Sequence, residues 1–394
     1  MNAMSTHNIV VLGASFAGLG VSHNLLRHVI PRMPDPSNYR LILVSPSDHF
    51  YFKVAAPRMA PREDLIAFDQ VMKPFTASLS NYSQFEFVKG YARAVEPATE
   101  EITIEHVDRE NTTTLHYDTL IIATGASTNS PLWSPAAPKE QTEAALREFR
   151  DKLKSAQRII VAGGGAVGVE TAGELGFDYG TQKNILLYSG TNRLLSRVRP
   201  DVGKRAEMYL QEMGVTIVHN VKIISSASDT GGKEVLHLSD GSQTTADLFI
   251  DARGSKLNND FLPSSWLNER GAVTVDEHAR VKATGTGGRV YAIGDIASNS
   301  SGSITDIQFA LPPLVSVIEY DLSNGKFGAQ PTWTGQTTQT MLVPVGRKKG
   351  VGVMFGYWLP SVVVNMIKGK TFFANQVPDY VSGDKWAKRK IYKN

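Results

Sequence analysis

A short apolar run that breaks into a glycine turn and continues as a helix occurs twice in this chain. The first copy, Ile9–Gly20, reads I-V-V-L-G-A-S-F-A-G-L-G. Its β-branched and aliphatic start predicts a buried strand, and Leu19 onward predicts a helix. Gly13 allows the sharp turn and Gly18 lets helix and strand pack closely. Ser15 stands where the usual G-x-G-x-x-G has its middle glycine. Its small side chain still lets a pyrophosphate reach the helix N-terminus, where free amides favour anions. The second copy, Arg158–Glu170, reads R-I-I-V-A-G-G-G-A-V-G-V-E. Gly163, Gly165 and Gly168 complete the full motif between a strand and a helix, the context that gives it meaning.

Each copy is followed by a buried strand that closes on glycine. Tyr117–Gly125 ends in Ala123-Thr124-Gly125, and Leu248–Gly254 ends in Asp251-Ala252-Arg253-Gly254. A later strand, Arg289–Ile293, ends in Gly294-Asp295, whose carboxylate suits polyol hydroxyls. Between these landmarks the pattern predicts a strand over Tyr39–Val44 and a small antiparallel meander over Phe85–His116. It also predicts a linker over Asn129–Pro138, a helix over Lys139–Ala156 and a hairpin over Gly271–Val281. Pro312-Pro313 suit the first turn of a helix. The expected fold class is α/β: two Rossmann-like dinucleotide-binding domains and a C-terminal α+β segment. The boundaries read as 1–128 plus 256–330, an inserted 129–255, and a tail of 331–394.

The second strand of neither copy ends in an acid. The first ends at Ser45, whose hydroxyl can still bond a ribose. The second is followed by Arg193, Arg197 and Arg199. An acid there would repel a 2′-phosphate, so its absence leaves NADPH open beside NADH. These arginines fit a phosphate contact and a solvated loop equally well. Lys53 lies among aromatics in Asp48–Arg58 and fits either a contact to an electron-rich ring or a snorkelling surface position.

The chain of 394 residues has no cysteine. That excludes a disulfide framework, a thiolate nucleophile, a redox C-x-x-C and a cysteine-ligated metal; no metal is assigned. With 41 basic and 38 acidic residues, net charge gives no reason to expect nucleic acid. No stretch approaches the roughly 20 apolar residues that span a bilayer. Met1–His7 lacks a signal-peptide core, residue 2 is Asn rather than a myristoylated Gly, and the end is no peroxisomal address. Cytoplasmic location is the default expectation, with peripheral contact to a membrane or mitochondrial surface left open. The basic tail, Lys385, Lys388, Arg389, Lys390 and Lys393, reads as a solvated terminus, and Phe355–Ile367 as a helix packed over a cofactor or against a second subunit.

This order of motifs resembles the two-dinucleotide-binding-domain flavoproteins. Phe50–Arg58 and Gly346–Gly352 are similar to the apoptosis-inducing-factor-like branch, which includes ferroptosis-suppressor-like oxidoreductases; type II NADH dehydrogenases are cousins. The resemblance implies FAD in the first domain and NADH or NADPH in the second. It makes Gly13, Ser15, Gly18, Thr124 and Asp295 FAD contacts, with Ala17, Ser45, Arg58, Ala123, Gly125 and Gly294 beside them. It turns Gly163, Gly165, Val167, Gly168 and Glu170 toward the nicotinamide nucleotide, with Arg193 near its adenosine end. Glu170 falls near the nicotinamide and flavin N5, and Lys53 near the isoalloxazine; these two are the catalytic candidates. Gln308–Pro312, including Phe309 and Ala310, matches a helix start at the pyrimidine end of the flavin. The implied reaction is hydride transfer from NAD(P)H to flavin, then electrons to a quinone-like acceptor, by a chain that could form homodimers. The rival readings are an oxidoreductase or oxidase acting on a secondary metabolite, and an NAD(P)H-sensing interaction module.

Overall fold

The computed structural model describes residues 6–283 and 289–392. The first unit begins with β1 (His7–Leu12), α1 (Phe16–Asn24), β2 (Tyr39–Ser45) and β3 (Phe85–Glu96). It continues through β4 (Glu101–His106), β5 (Thr112–His116) and β6 (Thr119–Ile122). An inserted unit follows: α2 (Lys139–Ser155), β7 (Arg158–Ala162), α3 (Ala166–Tyr179), β8 (Asn184–Tyr188), α4 (Pro200–Glu212), β9 (Val215–Val218) and β10 (Leu248–Asp251). The chain then returns through β11 (Val290–Ala292) and α5 (Ile304–Leu322). The tail holds β12 (Met341–Val345), β13 (Lys349–Met354), β14 (Tyr357–Trp358), the short α6 (Ser361–Val364) and α7 (Val377–Ser382).

The first sheet has the order β11-β6-β1-β2-β3-β4-β5. Its first five strands are parallel, and β3, β4 and β5 form the antiparallel meander. The second sheet, β9-β8-β7-β10, is wholly parallel. Both owe their continuous apolar strands to burial on two faces. In β1, Ile9 and Val11 enter the core under α1, while Val10 and Leu12 enter a second core with Trp266 and Val273. In β7, Ile159 and Val161 face one way and Ile160 and Ala162 the other.

Four local expectations change. Phe85–Val88 and Tyr91–Val95, which read in the sequence as two separate strands of the meander, are one 12-residue strand, β3, with an irregularity between Ala92 and Ala94. Gly271–Val281 makes isolated bridges instead of a hairpin: Val273 to Leu267 and Ala297, Val275 to Val281, and Arg280 to Tyr291. Phe355–Ile367 is no single helix: Gly356 turns it, β14 pairs with β13, and α6 starts at Ser361. The helix expected at Pro312 starts at Ile304, capped by Ser303, whose hydroxyl accepts from the Asp306 amide at 3.1 Å. Pro312 and Pro313 therefore lie inside α5. There they leave the carbonyls of Gln308 and Phe309 without helical donors. Lys393 lies outside the described residues, and no described helix is long and apolar enough to cross a membrane.

Candidate functional site

The two glycine turns are built alike. The Gly13 amide donates to Val44 O at 2.8 Å, and the Gly163 amide to Tyr188 O at 2.8 Å. Their φ angles, 101° and 124°, lie in the region that favours glycine. A Cβ on Gly18 would stand 1.7 Å from Gly13 O, and one on Gly168 would stand 1.9 Å from Gly163 O. Each helix thus lies directly on its own turn, with its first amides turned to the opening. A Cβ at Gly165 would meet nothing within 4 Å. The second turn therefore keeps open space where a pyrophosphate approaches.

The first turn opens on a cavity of about 470 Å³. Gly13, Ser15, Ala17, Ser45, Lys53, Ala123, Thr124, Gly125, Gly294 and Asp295 line it. Gly18 lies behind the turn instead. Ser15 caps α1 without a hydrogen bond from its hydroxyl, leaving that hydroxyl available. Lys53 donates to Ser134 Oγ at 3.1 Å and stands 4.0 Å from Asp295 Oδ2. Gly302, Ser303 and Ile304 bring the start of α5 to the same cavity. A helix start does reach this site, but at residue 303 rather than 308. Phe309 is 43% exposed and stacks on Trp333, and Ala310 borders a separate small cavity. Neither lines the cleft, because the Ser303 cap starts the helix earlier and turns them away.

The remaining candidates lie deeper. Along α3, Glu170, Glu174 and Asp178 recur every four residues, so they share one helix face. Lys368 donates to Glu170 Oε1 at 2.5 Å and to Leu342 O at 3.1 Å. Arg58 binds Glu174 at 2.6 Å and donates to Gly369 O. Asp178 pairs with Arg62 at 3.1 Å and with Arg347. Arg58 is thus not at the cleft: a buried guanidinium needs a carboxylate, and α3 supplies one. Phe372 lies under the Arg58 guanidinium, 4.4 Å from its centre. Phe372 and Phe373 both have left-handed backbones, with φ of 50° and 62°. Such strain costs of order 1–3 kcal/mol per residue and is kept only where surrounding packing enforces it.

Burial pushes the Glu170 carboxyl up to about 7, although Lys368 pulls the other way. Burial also raises Glu174, against the pull of Arg58. Glu170 is outside the lining of the first cavity, and Lys53 and Glu170 do not meet. Val167 sits in the first turn of α3. Arg193 spends its guanidinium on its own loop, donating to Ser196 O and Val198 O at 2.7 Å each. Beside it, Ser189 Oγ meets His219 Nδ1 at 2.9 Å, and His219 Nε2 meets Glu207 at 3.0 Å. Sequence reading missed Lys368, Glu174 and His219. Only the four-residue spacing on α3 was a visible signal.

Two nucleotide cradles at the parallel strands of two sheets, with one cavity shaped by glycine, serine and a strand-end aspartate, define a flavin- and nicotinamide-dependent oxidoreductase. The chain belongs to the pyridine nucleotide-disulphide oxidoreductase family, which matches residues 7–312. It is 32% identical to the oxidoreductase phnG of Penicillium herquei, with 98% of each chain covered. It is 25% identical to ferroptosis suppressor protein 1 of Taeniopygia guttata, covering 93% of this chain and 94% of that one. The sulfide:quinone oxidoreductase of Aquifex aeolicus shares the fold at a TM-score of 0.70 and 15% identity, covering 96% of this chain and 92% of that one. The redox disulfide in the family's name has no counterpart here, since the chain has no cysteine. The cofactors are FAD and a nicotinamide nucleotide, and the residues present fit both: the 470 Å³ cleft at the first turn and the open Gly165 at the second.

Proposed function

We propose that this protein oxidises NADH or NADPH and passes the electrons to a flat, apolar, quinone-like acceptor. In this reading residues 1–128 and 256–330 hold FAD, 129–255 hold the nicotinamide nucleotide, and 331–394 complete the site. Bound flavin supplies the chemistry of accepting a hydride and releasing electrons; the protein's part is orientation and electrostatics.

Gly13 and Ser15 offer backbone and hydroxyl to the pyrophosphate. Asp295 accepts from polyol hydroxyls, and Lys53 holds that carboxylate in place while placing positive charge beside the ring. Glu170, buried on α3 outside the cavity lining, serves in this reading as a proton reserve rather than as a group that touches the acceptor. A quinone needs protons as well as electrons, and the Glu170 carboxyl, pushed up to about 7, carries one near neutral pH. The two cradles, the 470 Å³ cleft beside Lys53 and Asp295 and the open Gly165, are the observation that carries the proposal; the buried Glu170–Lys368 pair adds a carboxyl that burial keeps protonated toward neutral pH. With no cysteine in the chain, electrons have no dithiol to pass through.

Purified protein should be yellow and should bleach with NADH or NADPH, and a quinone should restore the colour within turnover time. Colourless protein that takes up no FAD sinks the cofactor reading. Bleached protein that only oxygen reoxidises, slowly, sinks the acceptor.

A further inference from the structure

The C-terminal residues after α7 fold back on α1 and α5 and are anchored there. Trp386 stacks on His23 with ring centres 5.6 Å apart, and its carbonyl meets His28 Nε2 at 2.8 Å. Arg389 donates to Glu319 Oε1 at 2.9 Å and to His28 O at 3.3 Å. Glu319 is wholly buried. The Arg389 charge is therefore spent on holding the tail down.

The anchored tail closes a second cavity, of about 200 Å³, against α5. Its apolar wall is Leu311, Pro312, Val315 and Trp386, and its rim carries Lys385, Lys388 and Lys390. Among the described residues no acidic side chain lines it. Lys385 bonds Gln376 and lies over Tyr380, and Lys390 lies over Tyr392. Among the described residues none of the three lysines has a carboxylate within ion-pair reach. Three cations within six residues repel one another, and the fixed tail stops them from dispersing. The volume far exceeds the roughly 10–15 Å³ that one water needs.

We propose that this cavity binds a phosphate-bearing anion with a small apolar attachment. The lysines supply point charges for a group of more than one negative charge, a role ammonium groups fill well. The apolar wall takes the attached carbon. The same chemistry is offered by free phosphate esters and by an acidic lipid headgroup. The cavity shares α5 with the flavin cleft, one turn further along, and does not depend on which acceptor the enzyme uses.

Flavin-loaded protein tests this in two arms: calorimetry with inorganic phosphate, and co-sedimentation with phosphatidylcholine vesicles with and without phosphatidic acid. The exposed lysines allow a Lys385→Ala, Lys388→Ala, Lys390→Ala variant without loss of core. Lys154→Ala, Lys233→Ala, Lys256→Ala removes equal charge elsewhere. Each lysine near an acidic surface is worth about fivefold in binding, so the first variant should bind acidic vesicles about a hundredfold more weakly. Phosphate binding lost only in that variant supports the site with a soluble ligand. Loss confined to acidic vesicles supports it with a lipid headgroup. No binding in either arm, or equal loss in both triple variants, overturns the proposal.

Discussion

Glu170 keeps its proton because burial costs the carboxylate more than Lys368 returns. The sign of the pH effect follows. Folded Glu170 holds the proton up to about 7, against 4.5 for an ordinary glutamate. The folded chain then binds more protons than the unfolded one between those values, so this group's stabilisation is complete below about 4.5 and is lost as pH rises through 7. If Glu170 is the proton reserve, quinone turnover declines above pH about 7 with a single ionisation. Glu170→Gln should lower the rate and flatten that decline, by less than the roughly 10²–10⁴ of an acid–base group in contact with its substrate, since Glu170 lies outside the cleft. Lys368→Met should move the decline to higher pH, since the cation that favours the anion is gone. A decline unchanged in Glu170→Gln would assign it to another group. At the first turn, Ser15→Leu fills cofactor space without touching the core. The expected result is native circular dichroism with the flavin absorbance lost on gel filtration.

Among the elements, α3 does most to join the molecule. Its face of Glu170, Glu174 and Asp178 meets Lys368 and Arg347 from the tail and Arg58 and Arg62 from the first unit. A buried pair adds little over an apolar one, but breaking one side strands a charge. Glu174→Ala should therefore cost about 3–5 kcal/mol in denaturant unfolding. The double variant Glu174→Leu with Arg58→Met should recover most of it. Equal loss in both would show that packing rather than charge holds this contact. The spacing of the three acids is written in the sequence. Their partners lie more than a hundred residues away in the chain, and nothing local in Arg58 or Lys368 distinguishes a buried cation from a solvated one. The α5 start was misread for a related reason: two prolines outweigh a single serine in a local reading. In the fold, the Ser303 cap and the packing of Leu311, Leu314 and Ile318 outweigh the donors the prolines lack.

For the whole molecule, the cofactor cleft is built from distant strand ends. Gly13, Ala123, Thr124 and Gly294 come from three strands of one sheet, β1, β6 and β11. Ligand that binds only this assembled state stabilises it by mass action, about 2.7 kcal/mol at a hundred times its dissociation constant. Removing FAD should therefore lower the first thermal transition, and adding it back should restore the midpoint in a concentration-dependent way. A midpoint indifferent to FAD would argue against a preformed cleft.

The sequence by itself determined the two glycine turns, the parallel strands that feed them and the exclusion of thiol chemistry. Each rests on a local cause: a φ that only glycine takes readily, an apolar run that must be buried on both faces, a residue type that is absent. The tertiary structure decided where charge goes. It spent Arg58 on Glu174 and Arg193 on its own loop, and it brought Lys368 from the tail to Glu170. It also anchored the basic tail through Arg389 and Glu319, leaving three lysines around a cavity. Burial and pairing energies depend on neighbours that only the packed chain supplies, so these assignments had no signature along the sequence.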